Sequence, residues 1–253
     1  MPYYNLSEMT QSLEPLIAFE KDRLYISDVD TFREQLLDRL VQSAIFGSSE
    51  VKEASFWIIW AASQALGCGA ASIGGLAHAM ERGELQEFTV PVMNIRGLNY
   101  NIARTMLKAA VAAECGAVLF ELSLDEIHSQ NQRPSEFTAI LLAAAIKEQW
   151  SLPVTLQGGY FQVGSSAFVN NPESEVNVVG DVTRETIEAG MYNINTDAPP
   201  DNNANQPPNP ALTTACAEKI ASAIDSAKPK DVDIFQYQTD WGASHGENPD
   251  ARA

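Results

Sequence analysis

The middle of this chain alternates short apolar runs with longer amphipathic ones. Three runs, Thr89 to Ile95, Ala117 to Leu122 and Pro153 to Gln157, are each followed by polar residues and then by a helical pattern. Short apolar runs with turn residues between them read as buried strands, and their regular alternation with helices predicts a parallel α/β sheet. The first helix is expected over Asn99 to Cys115 with Gly116 as its stop. The second runs over Ser135 to Trp150 behind Arg133-Pro134, with Ser135 as its expected N-cap. A third helix over Pro172 to Ala189 leads into a strand at Met191 to Asn195. A fourth over Asn209 to Ala227 leads into a strand at Val232 to Gln236.

Upstream the period changes. Phe32, Leu36, Leu37, Leu40, Val41 and Ile45 fall on one stripe of a helix from Thr31 to Phe46. Further helices are expected over about Val51 to Leu66 and over Ser72 to Met80, so residues 1–87 read as a helical extension. Trp57 and Trp60, three apart on one helix face, read as core packing against the following domain. The division that follows is 1–87 helical, 88–240 a run of about five βα steps, and 241–253 a polar tail. Asp197 to Pro210, rich in Pro and Asn, has nothing to bury and reads as a loop.

Composition narrows the function classes. With 33 acidic residues against 16 Lys and Arg, the formal net charge is −17. Nucleic-acid phosphates need a basic footprint, so that partner class is excluded, and the acidity reads as a solvated surface. No segment approaches the roughly 20 apolar residues that span a bilayer, and no signal peptide is visible at Met1-Pro-Tyr-Tyr-Asn5. Cys68, Cys115 and Cys216 show no paired spacing, which suits free thiols in a reducing cytoplasm.

Chemistry in parallel α/β folds gathers where strands end. Asn94 lies at the end of the first run and Arg96 just after it, Glu121 lies at the end of the second, and Gln157 closes the third ahead of Gly158-Gly159-Tyr160. Asn94, Arg96 and Gln157 are candidate contacts for a phosphate or hydroxyl. Glu121 has two readings, a base or an ion-pair partner of Arg96 on the neighbouring strand. Gly158-Gly159 lacks the rest of a nucleotide fingerprint and reads as a turn. His78, His128 and His245 have no ligand spacing among them.

The segments Thr89 to Arg104, Phe120-Glu-Leu-Ser123, Gln132-Arg-Pro-Ser-Glu136, Leu156 to Gln162 and Ala189 to Asn195 resemble, in order and spacing, metal-dependent class II fructose-bisphosphate aldolases. The resemblance implies a (β/α)8 barrel of the TIM type, here incomplete at about five steps. It also implies reversible aldol cleavage of a ketose bisphosphate to dihydroxyacetone phosphate and an aldehyde. Zinc or another divalent metal would steady the enediolate. At the third strand the family carries Gly-Asp-His, where this chain has Gly158, Gly159 and Tyr160. Neither substitute can move a proton or hold zinc as the family residues do. Asp240 is the nearest carboxylate to the family's fifth-strand glutamate, which makes Glu121 and Asp240 the candidate catalytic pair, and no residue is assigned to metal. Two readings follow: an aldolase-like protein with impaired chemistry, or a non-catalytic truncated relative acting by association. A sheet short of closure exposes strand edges, so a homo-oligomer is expected, with the N-terminal helices or a second copy over those edges.

Overall fold

The computed structural model describes residues 1–21, 23–86, 89–161, 170–197 and 210–239. Helix α1 (Leu6–Leu13) is capped by the Asn5 side chain, which accepts from the Glu8 amide. A hairpin follows, β1 (Ile17–Glu20) antiparallel to β2 (Arg23–Ile26). The expected wholly helical extension is therefore interrupted by a strand pair. Its turn forces Lys21 to φ 56°, a backbone that sequence rarely advertises without Gly or Asn. The chain then runs through α2 (Val29–Thr31), a π-helical segment (Phe32–Leu36) and α3 (Leu37–Phe46), followed by α4 (Ser49–Ala65).

The central sheet holds five parallel strands in sequential order: β4 (Val92–Asn94), β5 (Leu119–Ser123), β6 (Val154–Gly159), β7 (Asn193–Asp197) and β8 (Phe235–Thr239). A two-residue strand, β3 (Ala70–Ala71), also pairs with β6. Thr155 faces Leu119 on one side and Ala71 on the other, so β3 and β7 share one edge of β6. The Asn193 side chain fastens this split edge. Its Oδ1 accepts from the Ile73 amide at 2.7 Å, and its Nδ2 donates to the carbonyls of Leu156 at 2.7 Å and Ala71 at 3.3 Å. No closed barrel forms among the described residues, as the count of strand-helix steps anticipates, and the outer sides of β4 and β8 pair with no described strand.

The strands are linked by α6 (Asn99–Ala112), α7 (Leu124–Ser129), α8 (Pro134–Lys147), α9 (Pro172–Glu188) and α10 (Pro210–Ala227). Helix α8 begins with Pro134 at its first position, and Arg133 rather than Ser135 is its N-cap. Proline needs no amide partner there and arrives with helical φ, so the start is fixed without a side-chain cap. Every residue of α8 from Phe137 to Ile146 is buried. A helix apolar all round must be covered on every side. Here β6 lies against it, and α3, α4 and α6 pack around it. The N-terminal helices thus find their main partner in α8, where edge-covering was expected. Two bonds lock this layer: Arg33 Nε donates to the Ile146 carbonyl at 2.9 Å, and Lys147 Nζ donates to the Arg33 carbonyl at 2.7 Å.

Trp57 and Trp60 do not enter that core; they are 50% and 40% exposed. The apolar side of α4 is carried by Val51, Ile58, Ile59 and Ala62, which leaves the tryptophans on the opposite stripe. No described helix is long and apolar enough to cross a membrane.

Candidate functional site

Strand alternation gives the sheet two unlike faces. Phe120, Leu122, Leu156 and Ile194 are buried on the face that meets the helices. On the other face the register aligns Asn94, Glu121, Gln157 and Asn193 across four adjacent strands. Asn195 and Tyr237 are paired one pleat further on. Helix α5 (Gly74–Glu81) lies against this face at its β8 end, where the His78 ring stands edge-on to Phe235 at 6.1 Å. Three of the sequence candidates, Asn94, Glu121 and Gln157, therefore share one row at the C-terminal strand ends. Arg96 lies just beyond Asn94. Asp240 falls outside the described residues, as does His245.

Glu121 is the central group of the row. It is 6% exposed, and Gln157 Nε2 donates to its Oε2 at 2.5 Å. Gln157 Oε1 in turn accepts from the Tyr237 hydroxyl at 2.6 Å. Burial lifts the Glu121 carboxyl above the ordinary carboxylate range, the Gln157 bond pulls it partly back, and the charge of Glu126 adds to the rise. The same burial, with the Gln157 bond opposing it, raises the Tyr237 phenol. Gly159 lies directly beneath. A Cβ there would meet Glu121 Oε2 at 2.5 Å and Cγ at 2.6 Å, so the glutamate fills the space that a side chain at 159 would take.

Arg96 does not pair with Glu121. Its Nε donates to Glu126 Oε1 at 2.8 Å and lies 3.2 Å from Asn94 Oδ1. Asn94 Nδ2 donates to Glu126 Oε2 at 2.9 Å. Glu126 is buried and also accepts from the Ser123 amide, while the Ser123 hydroxyl accepts from the Glu126 amide; the two form a capping box at the start of α7. Of the two readings for Glu121, the ion pair belongs to Glu126. The Arg96 side chain stays 70% exposed, and its two Nη groups donate to no described residue. Sequence reasoning passed over Glu126, although Ser123-Leu-Asp-Glu126 displays the capping-box spacing. It also passed over Asn193 and Tyr237, whose place in the row is set by strand register and has no local signal.

The metal implied by the family resemblance does not fit these residues. Among the described residues no group of three His, Cys, Asp or Glu side chains is placed to hold a metal ion. Glu126 is occupied by Arg96, Asn94 and the Ser123 amide. Tyr160, at the position of the family's histidine, has a left-handed backbone at φ 54°.

No family model matches the chain, and no curated protein does either. Among similar solved structures is that of a probable tagatose 6 phosphate kinase from Sinorhizobium meliloti 1021, at 18% identity and a TM-score of 0.42. The likeness covers 56% of this chain and 38% of that one. At that TM-score it decides nothing about chemistry.

Proposed function

We propose that this chain is a divergent relative of class II ketose-bisphosphate aldolases that binds a sugar phosphate at the C-terminal strand ends and lacks the metal-dependent cleavage. One observation carries the reading. Arg96 is anchored through Nε at the rim of the row formed by Asn94, Glu121 and Gln157, with both Nη groups open. An anchored guanidinium suits a phosphate, and adjoining amides and a carboxyl suit hydroxyls. Glu121, held above its ordinary range beside a neutral amide, can keep or release one proton at this place. The metal-dependent step is lost because Tyr160 stands where the resemblance implies a metal-holding histidine and Gly159 where it implies the aspartate that moves the proton.

Calorimetric titration with fructose 1,6-bisphosphate tests this. Saturable binding is expected, weakened at least tenfold by Arg96→Gln and by Gln157→Leu, with cleavage below about 1 s⁻¹ in added zinc, the low end of ordinary enzymes. Absence of binding at millimolar ligand would overturn the sugar-phosphate site. Stoichiometric zinc with faster turnover would overturn the loss of chemistry. The double variant Gly159→Asp, Tyr160→His is expected to remain inactive.

A second reading, an association subunit, is favoured by the outer edge of β4. There Val92 is 56% exposed, and no described strand pairs with the side of β4 turned away from β5. Sedimentation that shows a homo-oligomer, dissociated by Val92→Lys, supports it.

A further inference from the structure

Two carboxylates are buried at the strand ends, and the chain treats them unequally. Glu126 accepts from Arg96, Asn94 and the Ser123 amide, so its charge is both paired and hydrogen-bonded. Glu121, just as deeply buried, accepts only from the neutral Gln157 amide, at Oε2. Its Oε1 has no donor, and it forms no ion pair, among the described residues. Arg96 is already engaged by Glu126, and Asn94, Gln157, Asn193 and Tyr237 are neutral. Little is left in the sequence to supply the missing positive charge. Of the 16 Lys and Arg residues, Arg252 alone lies outside the described residues, and His245 alone among the histidines.

A buried carboxylate without a cation is costly, and it is relieved by holding its proton or by meeting a positive charge. Burial does raise the Glu121 carboxyl, which is the first remedy; a ligand can bring the second. A divalent metal needs several strong ligands, and no group of three is placed for one among the described residues. An ammonium asks for less: one carboxylate oxygen and neutral oxygens around it. Tyr237 stands close by, since the charge of Glu121 and the Tyr160 phenol both raise its own phenol. Aromatic neighbours suit an ammonium. The other end of the ligand is placed by the same register. Arg96 Nε lies 3.2 Å from Asn94 Oδ1, and Asn94 is paired with Glu121 on a strand about 4.8 Å away. Guanidinium and carboxyl therefore stand apart on the scale of one sugar ring, with opposite charges.

We propose that the ligand of this row is an amino sugar phosphate, with its phosphate on Arg96 and its ammonium on the Glu121 carboxylate. This rests on the sugar-phosphate reading above and narrows it to one substrate class. Hydroxyls satisfy the amides of the row, whereas Glu121 selects the group that brings a charge.

Calorimetric titration of the full chain with glucosamine 6-phosphate and glucose 6-phosphate tests the site, because the two differ by an ammonium and a hydroxyl at one carbon. At about pH 6.5, below the range in which such amines lose their charge, the amino sugar phosphate is expected to bind at least tenfold more tightly. Glu121→Gln keeps the shape and can keep the bond from Gln157; it is expected to bring the two ligands within about threefold of each other, by loss from the amino sugar phosphate alone. Arg96→Gln is expected to weaken both at least tenfold and to leave their ratio unchanged. His245→Gln and Arg252→Gln are expected to leave the ratio unchanged as well. A tenfold gain for the amino sugar phosphate in either would show that the chain supplies its own cation, and would refute the proposal. Equal binding of the two ligands to the native chain would also refute it, and so would a preference that Glu121→Gln preserves; both results leave the sugar-phosphate reading standing. If neither ligand binds at millimolar concentration, and fructose 1,6-bisphosphate does not bind either, that reading falls and the proposal with it. Circular dichroism and melting temperature show whether each variant keeps the fold. The ratio measured on the native chain decides the matter even where the Glu121 variant does not fold.

Discussion

Replacing Gly159 by alanine sets one methyl group against the buried Glu121 carboxyl. A Cβ built there lies 2.5 Å from Oε2 and 2.6 Å from Cγ, inside the contact distance of any pair of heavy atoms. Relief has two routes. The backbone of β6 can shift, which costs about 1–3 kcal/mol as overpacking does. Alternatively Glu121 can swing away, which breaks its bond from Gln157 at 2.5 Å and costs about 1.5–3 kcal/mol for a charged partner. Either route gives a loss of about 2 kcal/mol, or a fall in Tm of roughly 4–8 °C for a chain of this size. The assay is thermal and urea unfolding of Gly159→Ala in two backgrounds, native and Glu121→Ala. With the glutamate truncated the methyl group has room, so the second background should lose less than about 0.5 kcal/mol. The coupling between the sites should exceed about 1 kcal/mol. Equal losses in both backgrounds, or a native-background loss under about 0.5 kcal/mol, would refute the close approach. Gly159→Asp should be worse than alanine above neutral pH, because it adds a second carboxylate beside the first.

Further outcomes are expected elsewhere. Glu121 has a raised pKa in the folded state, so the folded chain binds the proton more tightly than the unfolded one. Its contribution is fully present below the ordinary value of about 4.3 and is lost as pH rises through the raised one; the unfolding free energy of the native chain relative to Glu121→Gln should therefore fall over that interval, measured by urea midpoints across pH. A flat difference would count against the buried, unneutralised carboxyl. Tyr100→Phe removes the hydroxyl that donates to Asp38 at 2.6 Å and should cost about 1 kcal/mol, the modest value fitting an Asp38 side chain that is 46% exposed. Among the thiols, burial pushes Cys68 up to about 11 and also raises Cys216, whereas Cys115 is only partly buried. A thiol reagent at pH 8 should label Cys115 first and Cys68 only on unfolding.

The strand rhythm was legible because short apolar runs bounded by Gly and Pro have few other uses in a chain of this length. Their ends were less so. Met191 and Tyr192 are buried like strand residues, yet β7 begins at Asn193, so an apolar pattern reports packing before it reports pairing. The hairpin escaped notice because its turn at Lys21 lacks the usual Gly or Asn. Trp57 and Trp60 were read as core because their spacing puts them on one helix face, although the apolar stripe of α4 was already supplied by smaller residues. At the site, single strand ends could be named but not their partners. Arg96 stands two residues beyond Asn94, the residue in register with Glu121, and its guanidinium reaches into the capping box of α7. That pairing depends on where a helix starts, while the link from Tyr237 to Gln157 spans 80 positions and depends on register.

The clamp at Asn193 also sets an order of events during synthesis. Its carboxamide joins Ala71 across 122 positions, and among the described residues β3 pairs with β6 alone. At translation rates of about 5–20 residues per second, Ala71 waits roughly 6–24 s before Asn193 leaves the peptidyl-transferase centre. Contacts this remote in sequence are slow to close. During that interval the segment at residues 70–73 can be engaged by a chaperone or by a neighbouring nascent chain, and the arrival of β7, with β8 still to be made, is the step that releases it.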